Sequence, residues 1–174
     1  MRARALTTLA TASLLALTAC SSNDSPDNTT ASNSPASATV SSSTPAPKEL
    51  DAQQVVTALT KAITSTKAAT VYTAATDPNQ LLGRPNGYTS KADFTDSRAK
   101  PKLDDEVQNG GSVEIYSDPA DAQDRAKYIA DTLDKMKIFG TEYHYLNGGI
   151  LLRVSGALTP DQAAEYEAAL KQLS

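Results

Sequence analysis

The chain has 174 residues, of which 16 are Lys or Arg and 20 are Asp or Glu, for a net charge of −4. This negative balance argues against a nucleic-acid binder that is held by a basic surface. The single Cys excludes an internal disulfide and a multi-cysteine metal site, and the single His leaves one candidate for a catalytic triad.

The first twenty residues have the pattern of an export signal. Two arginines precede an apolar run of Ala, Leu and Thr over residues 5–19. This run is shorter than the roughly 20 apolar residues that a membrane-spanning helix needs. It ends in Leu17-Thr18-Ala19-Cys20, which resembles the lipobox of bacterial lipoproteins: a Leu, two small residues and the Cys that is modified.

The resemblance implies a lipid anchor. A signal peptide over residues 1–19 would be cleaved, and a diacylglyceryl group on the Cys20 thiol would hold the chain at the extracytoplasmic face of the cell membrane. An ordinary secretory signal with an incidental Cys is the alternative. Cleavage would remove two arginines, so we expect the lipid, and not electrostatics, to hold the acidic mature chain at the membrane.

Residues 20–48 are predicted to comprise the lipidated Cys and a disordered stalk. The segment is mostly Ser, Thr, Ala, Asn and Pro, and Val40 is its one large apolar residue. Such a composition cannot bury enough surface to offset its chain entropy. As a random coil the stalk would span roughly 30 Å, which suits a domain held away from a membrane within a cell wall.

Residues 49–174 are predicted to form one domain, and three of its segments have helical periodicity. Each begins at a side chain suited to cap a helix: Asp51, Asp118 and Thr159. The predicted helices cover about 51–66, 119–137 and 160–173.

Five shorter segments have the composition and alternation of strands: 70–73, 88–95, 112–117, 142–146 and 150–154. Asn147-Gly148, between the last two, is a strong hairpin signal, and a two-residue turn there sets Glu142 opposite Arg153. The order of elements predicts an α+β domain. Its antiparallel sheet would have about four to five strands, with three helices packed mainly on one face.

Signals for catalysis and for metal binding are weak. His144 lies within a predicted strand and no G-x-S-x-G sequence accompanies it, so we expect an exposed or core histidine. The acidic run Asp104-Asp105-Glu106 lacks the spacing of a calcium-binding loop and is expected to be solvated. We therefore assign no catalytic residue, no metal and no cofactor.

The most unusual segment is the loop 77–91, in which turn-forming residues surround a Leu-Leu pair and one arginine. The two leucines are expected to hold the loop against the core. Arg84, Tyr88 and Lys91 form our hypothetical ligand site, in which the two cations would bind a carboxylate or phosphate. An internal salt bridge that fixes the loop is the alternative.

The loop also resembles small uncharacterised lipoproteins of actinobacteria. The similar segments are Asp77-Pro78-Asn79, Leu81-Leu82-Gly83-Arg84-Pro85, Gly87-Tyr88, Ser90-Lys91, Gly111-Ser112-Val113-Glu114 and Leu151-Leu152-Arg153-Val154-Ser155. The resemblance would cover most of residues 70–170. It implies a cell-surface location and supplies no activity.

Together these features favour a lipid-anchored surface lipoprotein whose domain is a non-enzymatic binding or interaction module. Its partner would be a protein, a wall polymer or a small ligand, contacted through the loop 77–91. A cell-wall-acting hydrolase that uses carboxylates or His144 is one alternative. A protein that excludes a phage or toxin at the membrane is another.

Overall fold

A computed structural model describes residues 50–100 and 105–173, so the predicted signal peptide, Cys20, the predicted stalk and Asp104 lie outside the described residues. Three helices and five strands make up the described part. The helices are α1 (Ala52–Ala62), α2 (Pro119–Lys135) and α3 (Pro160–Lys171), and the strands are β1 (Thr66–Val71), β2 (Ser90–Asp96), β3 (Gly110–Ile115), β4 (Glu142–Asn147) and β5 (Ile150–Ser155).

All three predicted helix starts are confirmed. The side chains of Asp51 and Thr159 each accept a hydrogen bond from the backbone N–H three residues on, within capping boxes. Asp118 accepts from the N–H of Ala120 at 2.9 Å. Helix α1 ends at Ala62, earlier than predicted, because the backbone of Ile63 is extended and the chain enters β1 three residues later.

The predicted α+β fold with an antiparallel sheet is confirmed. The strand order is β1-β2-β3-β5-β4, and every neighbouring pair is antiparallel. The three helices were predicted to pack mainly on one face of the sheet: α1 and α3 share one face, and α2 packs on the other. The sheet is therefore covered on both faces. Successive residues of its central strands point to opposite faces, so residues on both faces are buried.

The face under α1 and α3 carries the main apolar core. Ala92 and Phe94 of β2, Val113 of β3, and Leu152 and Val154 of β5 are buried there beneath the apolar stripe of α1. The Phe94 ring stacks on Tyr166 of α3 with 5.1 Å between ring centroids.

The predicted register of the β4–β5 hairpin is wrong. Asn147 pairs with Ile150, so the turn is Gly148-Gly149 and each partner moves by two residues. Gly148 has φ +55, and Gly149 lies so close to the Tyr116 backbone that no Cβ would fit. A register shift of two residues leaves every side chain on the same face of the sheet. The predicted alternation of faces along β4 and β5 therefore still holds.

Candidate functional site

A cleft of about 560 Å³ lies between helix α2 and the sheet, on the face opposite the main core. Its volume is within the range of small-molecule sites. Apolar side chains form its walls and polar side chains its floor and one rim. The walls include Leu81, Ile129, Leu133, Met136 and Phe139, and the polar groups are Asn79, Asp105, Arg125, Glu142 and Arg153.

The floor of the cleft is a buried ion network centred on Arg153. Its Nε and Nη2 donate to the two carboxylate oxygens of Glu142, each at 2.8 Å, and its Nη1 donates to Glu114 at 3.2 Å. The pairing follows from the sheet: Arg153 and Glu114 point to the α2 face from adjacent strands, in the positions diagonal to each other. Glu142 and Arg153 meet diagonally too, although the predicted direct pairing is wrong.

The network keeps Glu142 ionised. Burial alone would raise the pKa of this carboxyl, but hydrogen bonds from His144 and Arg153 and the charge of Arg153 lower its pKa to about 2. Burial acts to lower the pKa of Arg153. The interactions of its guanidinium with the carboxylates of Glu142 and Glu114 outweigh this effect, so the pKa of Arg153 is raised. Glu142 and Arg153 thus form an ionised and fixed pair at neutral pH.

Arg125 is a cation of the cleft, and only one of its guanidinium nitrogens, Nε, has a hydrogen-bond partner among the described residues. Its Nε lies 3.4 Å from Glu114 Oε2, and its guanidinium lies 5.7 Å from the centre of the Tyr128 ring. Within 50–100 and 105–173, its two terminal nitrogens have no hydrogen-bond partner. A guanidinium held at one side and open at the other suits recognition of a planar or tetrahedral anionic group.

Glu114 positions this arginine. Its carboxylate is completely buried and also accepts from the Tyr116 hydroxyl at 2.9 Å. Burial raises the pKa of Tyr116, and the neighbouring carboxylate raises it further, so the phenol stays protonated and donates. The sequence analysis missed Glu114, Arg125 and Arg153 as site residues. The available signal was a charged residue inside an apolar strand, as in Val113-Glu114-Ile115 and Leu152-Arg153-Val154.

The three residues of the hypothetical ligand site do not converge at the surface. Tyr88 and Lys91 are buried around Asp77, whose carboxylate accepts from the Tyr88 hydroxyl at 2.6 Å and lies 3.7 Å from Lys91 Nζ. Burial alone would raise the pKa of Asp77, but the Tyr88 hydroxyl and three backbone N–H groups lower it. Arg84 is exposed, and its guanidinium has no partner among the described residues.

An internal ion pair therefore fixes the loop 77–91, but Lys91 makes it and Arg84 does not. Leu81 and Leu82 pack against the small core beside α2, as expected. The same loop supplies Asn79 and Leu81 to the cleft, and the amide of Asn79 donates to the Tyr88 hydroxyl at 3.2 Å. Tyr88 thus acts on the cleft indirectly, by holding Asn79.

His144 is partly buried on β4, where its Nε2 lies 3.0 Å from Glu142. No hydroxyl or thiol nucleophile of the described residues is within hydrogen-bonding distance of this ring. Asp105 accepts from the N–H groups of Val107 and Gln108 and so caps a turn. In residues 50–100 and 105–173, no group of three or more His, Cys, Asp or Glu could hold a metal ion.

The fold and the cleft define a small α+β domain with a groove of ligand size. No protein-family model, curated protein or solved structure matches the chain. None of the helices in the described part is long and apolar enough to cross a membrane.

Proposed function

We propose that the chain is a lipid-anchored, extracytoplasmic binding protein that holds a small amphipathic ligand in the cleft under α2. The ligand would carry a carboxylate, phosphate or sulfonate group for Arg125 and an apolar body for the walls. The single observation that carries this proposal is the cleft itself, whose floor holds the ionised Glu142 and in which the terminal nitrogens of Arg125 have no hydrogen-bond partner among the described residues.

Two further features support a binding role over a hydrolytic one. Both carboxylates of the floor accept hydrogen bonds from Arg153, and Glu114 also accepts from Tyr116, so both are engaged within the protein, whereas a general acid must reach the substrate. His144 is engaged by Glu142. The lipobox supports the anchor and the location at the membrane.

A fluorescent anionic amphiphile, anilinonaphthalene sulfonate, is a direct probe of the cleft. We expect saturable binding with enhanced fluorescence. Arg125→Gln should weaken it about tenfold, because it removes one charge-assisted interaction. Arg84→Gln is the matched control: it removes an exposed guanidinium that does not line the cleft and should leave the affinity unchanged. Equal loss in both variants would contradict the proposed site.

Because Arg125 also contacts the buried Glu114, a second variant separates binding from stability. Thr132 lines the cleft from a partly exposed helix position. Thr132→Trp should fill the cleft and block the probe while the melting temperature stays near that of the parent chain. Unchanged probe binding in this variant would place the probe elsewhere.

The anchor is tested separately in a bacterial host. The parent chain should incorporate radiolabelled palmitate and sediment with membranes. Cys20→Ala should abolish the label and leave the chain unprocessed or released. If labelling is absent in the parent chain, or if membrane association survives in the variant, the lipid anchor is wrong.

A further inference from the structure

A cluster of exposed apolar side chains lies where helix α2 ends. The tip, residues 135–140, runs from the last residue of α2 through a single 3₁₀ turn to Gly140. Met136, Ile138 and Phe139 are 44, 77 and 52 % exposed, and they are three of the six large apolar side chains exposed in the described part of the chain. Scattered apolar residues need no explanation, but three within four positions indicate a contact surface.

Lysines alternate with the apolar residues of the tip. Lys135 is exposed and makes no ion pair within 4 Å among the described residues, although its charge lowers the pKa of Asp131. Lys137 is 78 % exposed and pairs with Asp134 at 3.1 Å. Long cationic side chains around an exposed apolar turn match the boundary between lipid headgroups and acyl chains. The tip itself contains both lysines and no acidic residue, whereas the whole chain has a net charge of −4, so contact with anionic lipid is more favourable at the tip than for the chain on average.

A backbone hydrogen bond and packing against Gln108 fix the conformation of the tip. Gly140 has φ +87, and its N–H donates to the carbonyl of Lys137. The side chain of Gln108 lies directly beneath it: a Cβ on Gly140 would be 3.0 Å from the Gln108 amide, which in turn donates to the carbonyl of Thr141 at 3.2 Å. A pre-formed turn loses little conformational entropy when it inserts.

We propose that this tip is a membrane-contact surface that inserts into the headgroup region of an anionic bilayer. Residues 21–49 lie between Cys20 and the described part of the chain, so the proposed anchor does not by itself select which face meets the bilayer.

The contact has a consequence for the cleft, which rests on the proposed function. Met136 and Phe139 belong both to the tip and to the wall of the cleft. Docking by the tip therefore brings the mouth of the cleft to the bilayer surface. The lipid anchor would keep the domain at the membrane, and the tip would set its orientation.

Vesicle binding tests the tip without the anchor. The chain from Ser21 to Ser174 lacks the signal peptide and Cys20 and retains every described helix, strand and core cluster. We expect it to float with vesicles of phosphatidylcholine and phosphatidylglycerol more strongly than with phosphatidylcholine alone, and salt should weaken the difference.

Substitutions identify the surface. The double variant Ile138→Ser/Phe139→Ser should lower partitioning into the mixed vesicles at least about tenfold, because it removes most of the apolar area that inserts. Lys135→Glu should lower partitioning only when phosphatidylglycerol is present. Val71→Ser is the matched control, since Val71 is 51 % exposed on strand β1, and it should have no effect. Circular dichroism confirms that each variant is folded.

Three results would overturn the inference: no binding of the parent chain to either vesicle, an equal loss in Val71→Ser, or a concentration-dependent dimer that the double variant abolishes without any vesicle binding. The last result would assign the tip to a second copy of the chain. None of these results alters palmitate labelling of Cys20 or the effect of Arg125→Gln on the probe, so failure here and failure of the proposed function remain distinct.

Discussion

Replacing Arg153 with methionine isolates the cost of the buried ion network. Methionine keeps most of the length and apolar volume of the arginine stem but removes its charge and all its donors. The variant takes away three charge-assisted hydrogen bonds. Glu142 keeps its contact with His144, and Glu114 keeps Tyr116 and Arg125. Both carboxylates stay buried.

Two routes give a similar magnitude. Removing one partner of a buried ion pair destabilises a protein by about 3–5 kcal/mol. Against burial, the bonds and charges of His144 and Arg153 together lower the pKa of Glu142 from 4.5 to about 2. This net shift corresponds to about 3 kcal/mol of stability, to which Arg153 contributes by its hydrogen bonds and its charge. We therefore expect Arg153→Met to lower the free energy of unfolding by about 3 kcal/mol, against a total of about 5–15 kcal/mol for a domain of this size.

The pH dependence has a defined sign. Because the folded-state pKa of Glu142 lies below the unfolded value, its contribution is complete above 4.5 and is lost as pH falls toward about 2. Urea unfolding should show the full gap between parent and variant at neutral pH and a smaller gap in acid. Glu142→Gln added to Arg153→Met should recover part of the loss. A gap that does not change with pH, or a loss below about 1 kcal/mol, would refute the reasoning.

Three further substitutions can be checked by the same unfolding measurement. Burial raises the pKa of Asp93, which accepts from the Tyr72 hydroxyl while its other oxygen has no partner in the described part. Stability is thus lost as pH rises through that raised pKa, and Asp93→Asn should raise the free energy of unfolding at neutral pH and leave it unchanged in acid. Hydrogen bonds lower the pKa of Asp96 to about 2 although burial opposes this, so Asp96→Asn should cost about 2 kcal/mol above pH 3.8 and little near pH 2. Gly111→Ala should cost about 3 kcal/mol, because its Cβ would overlap the Phe94 ring.

The helices and the faces of the strands could be predicted because their signals are local. A cap such as Asp51 bonds three residues away, and the alternation of Val113 and Ile115 depends on strand geometry alone. The hairpin register failed for a non-local reason. Gly149 lies against the Tyr116 backbone and its carbonyl accepts the N–H of Tyr116 at 2.8 Å, a contact with a different strand segment that the turn sequence does not encode.

The candidate site was missed for a related reason. The loop 77–91 was predicted as a ligand site because its residue types are unusual. In the structure, however, Tyr88 and Lys91 contact Asp77 of the same loop and are buried there. The polar floor of the cleft is assembled from three strands and one helix. No spacing along the chain links Arg125 to Glu114, because the residues meet only when α2 folds back over the sheet.

The two faces of the sheet differ in the kind of side chain that they bury. Under α1 and α3 the sheet presents an almost wholly apolar surface, and such burial supplies most of the stability of a small domain. On the opposite face the same strands bury Lys91, Asp93, Glu114 and Ser112, groups whose desolvation opposes folding even when they are paired. Well-packed apolar residues at such positions are often neutral or stabilising, so stability alone does not account for the charges. Departures of this kind from good packing are typical of functional surfaces. The cleft and the tip both lie on this side of the domain, which is why we propose binding at the α2 face and not at the exposed Arg84 of the loop 77–91.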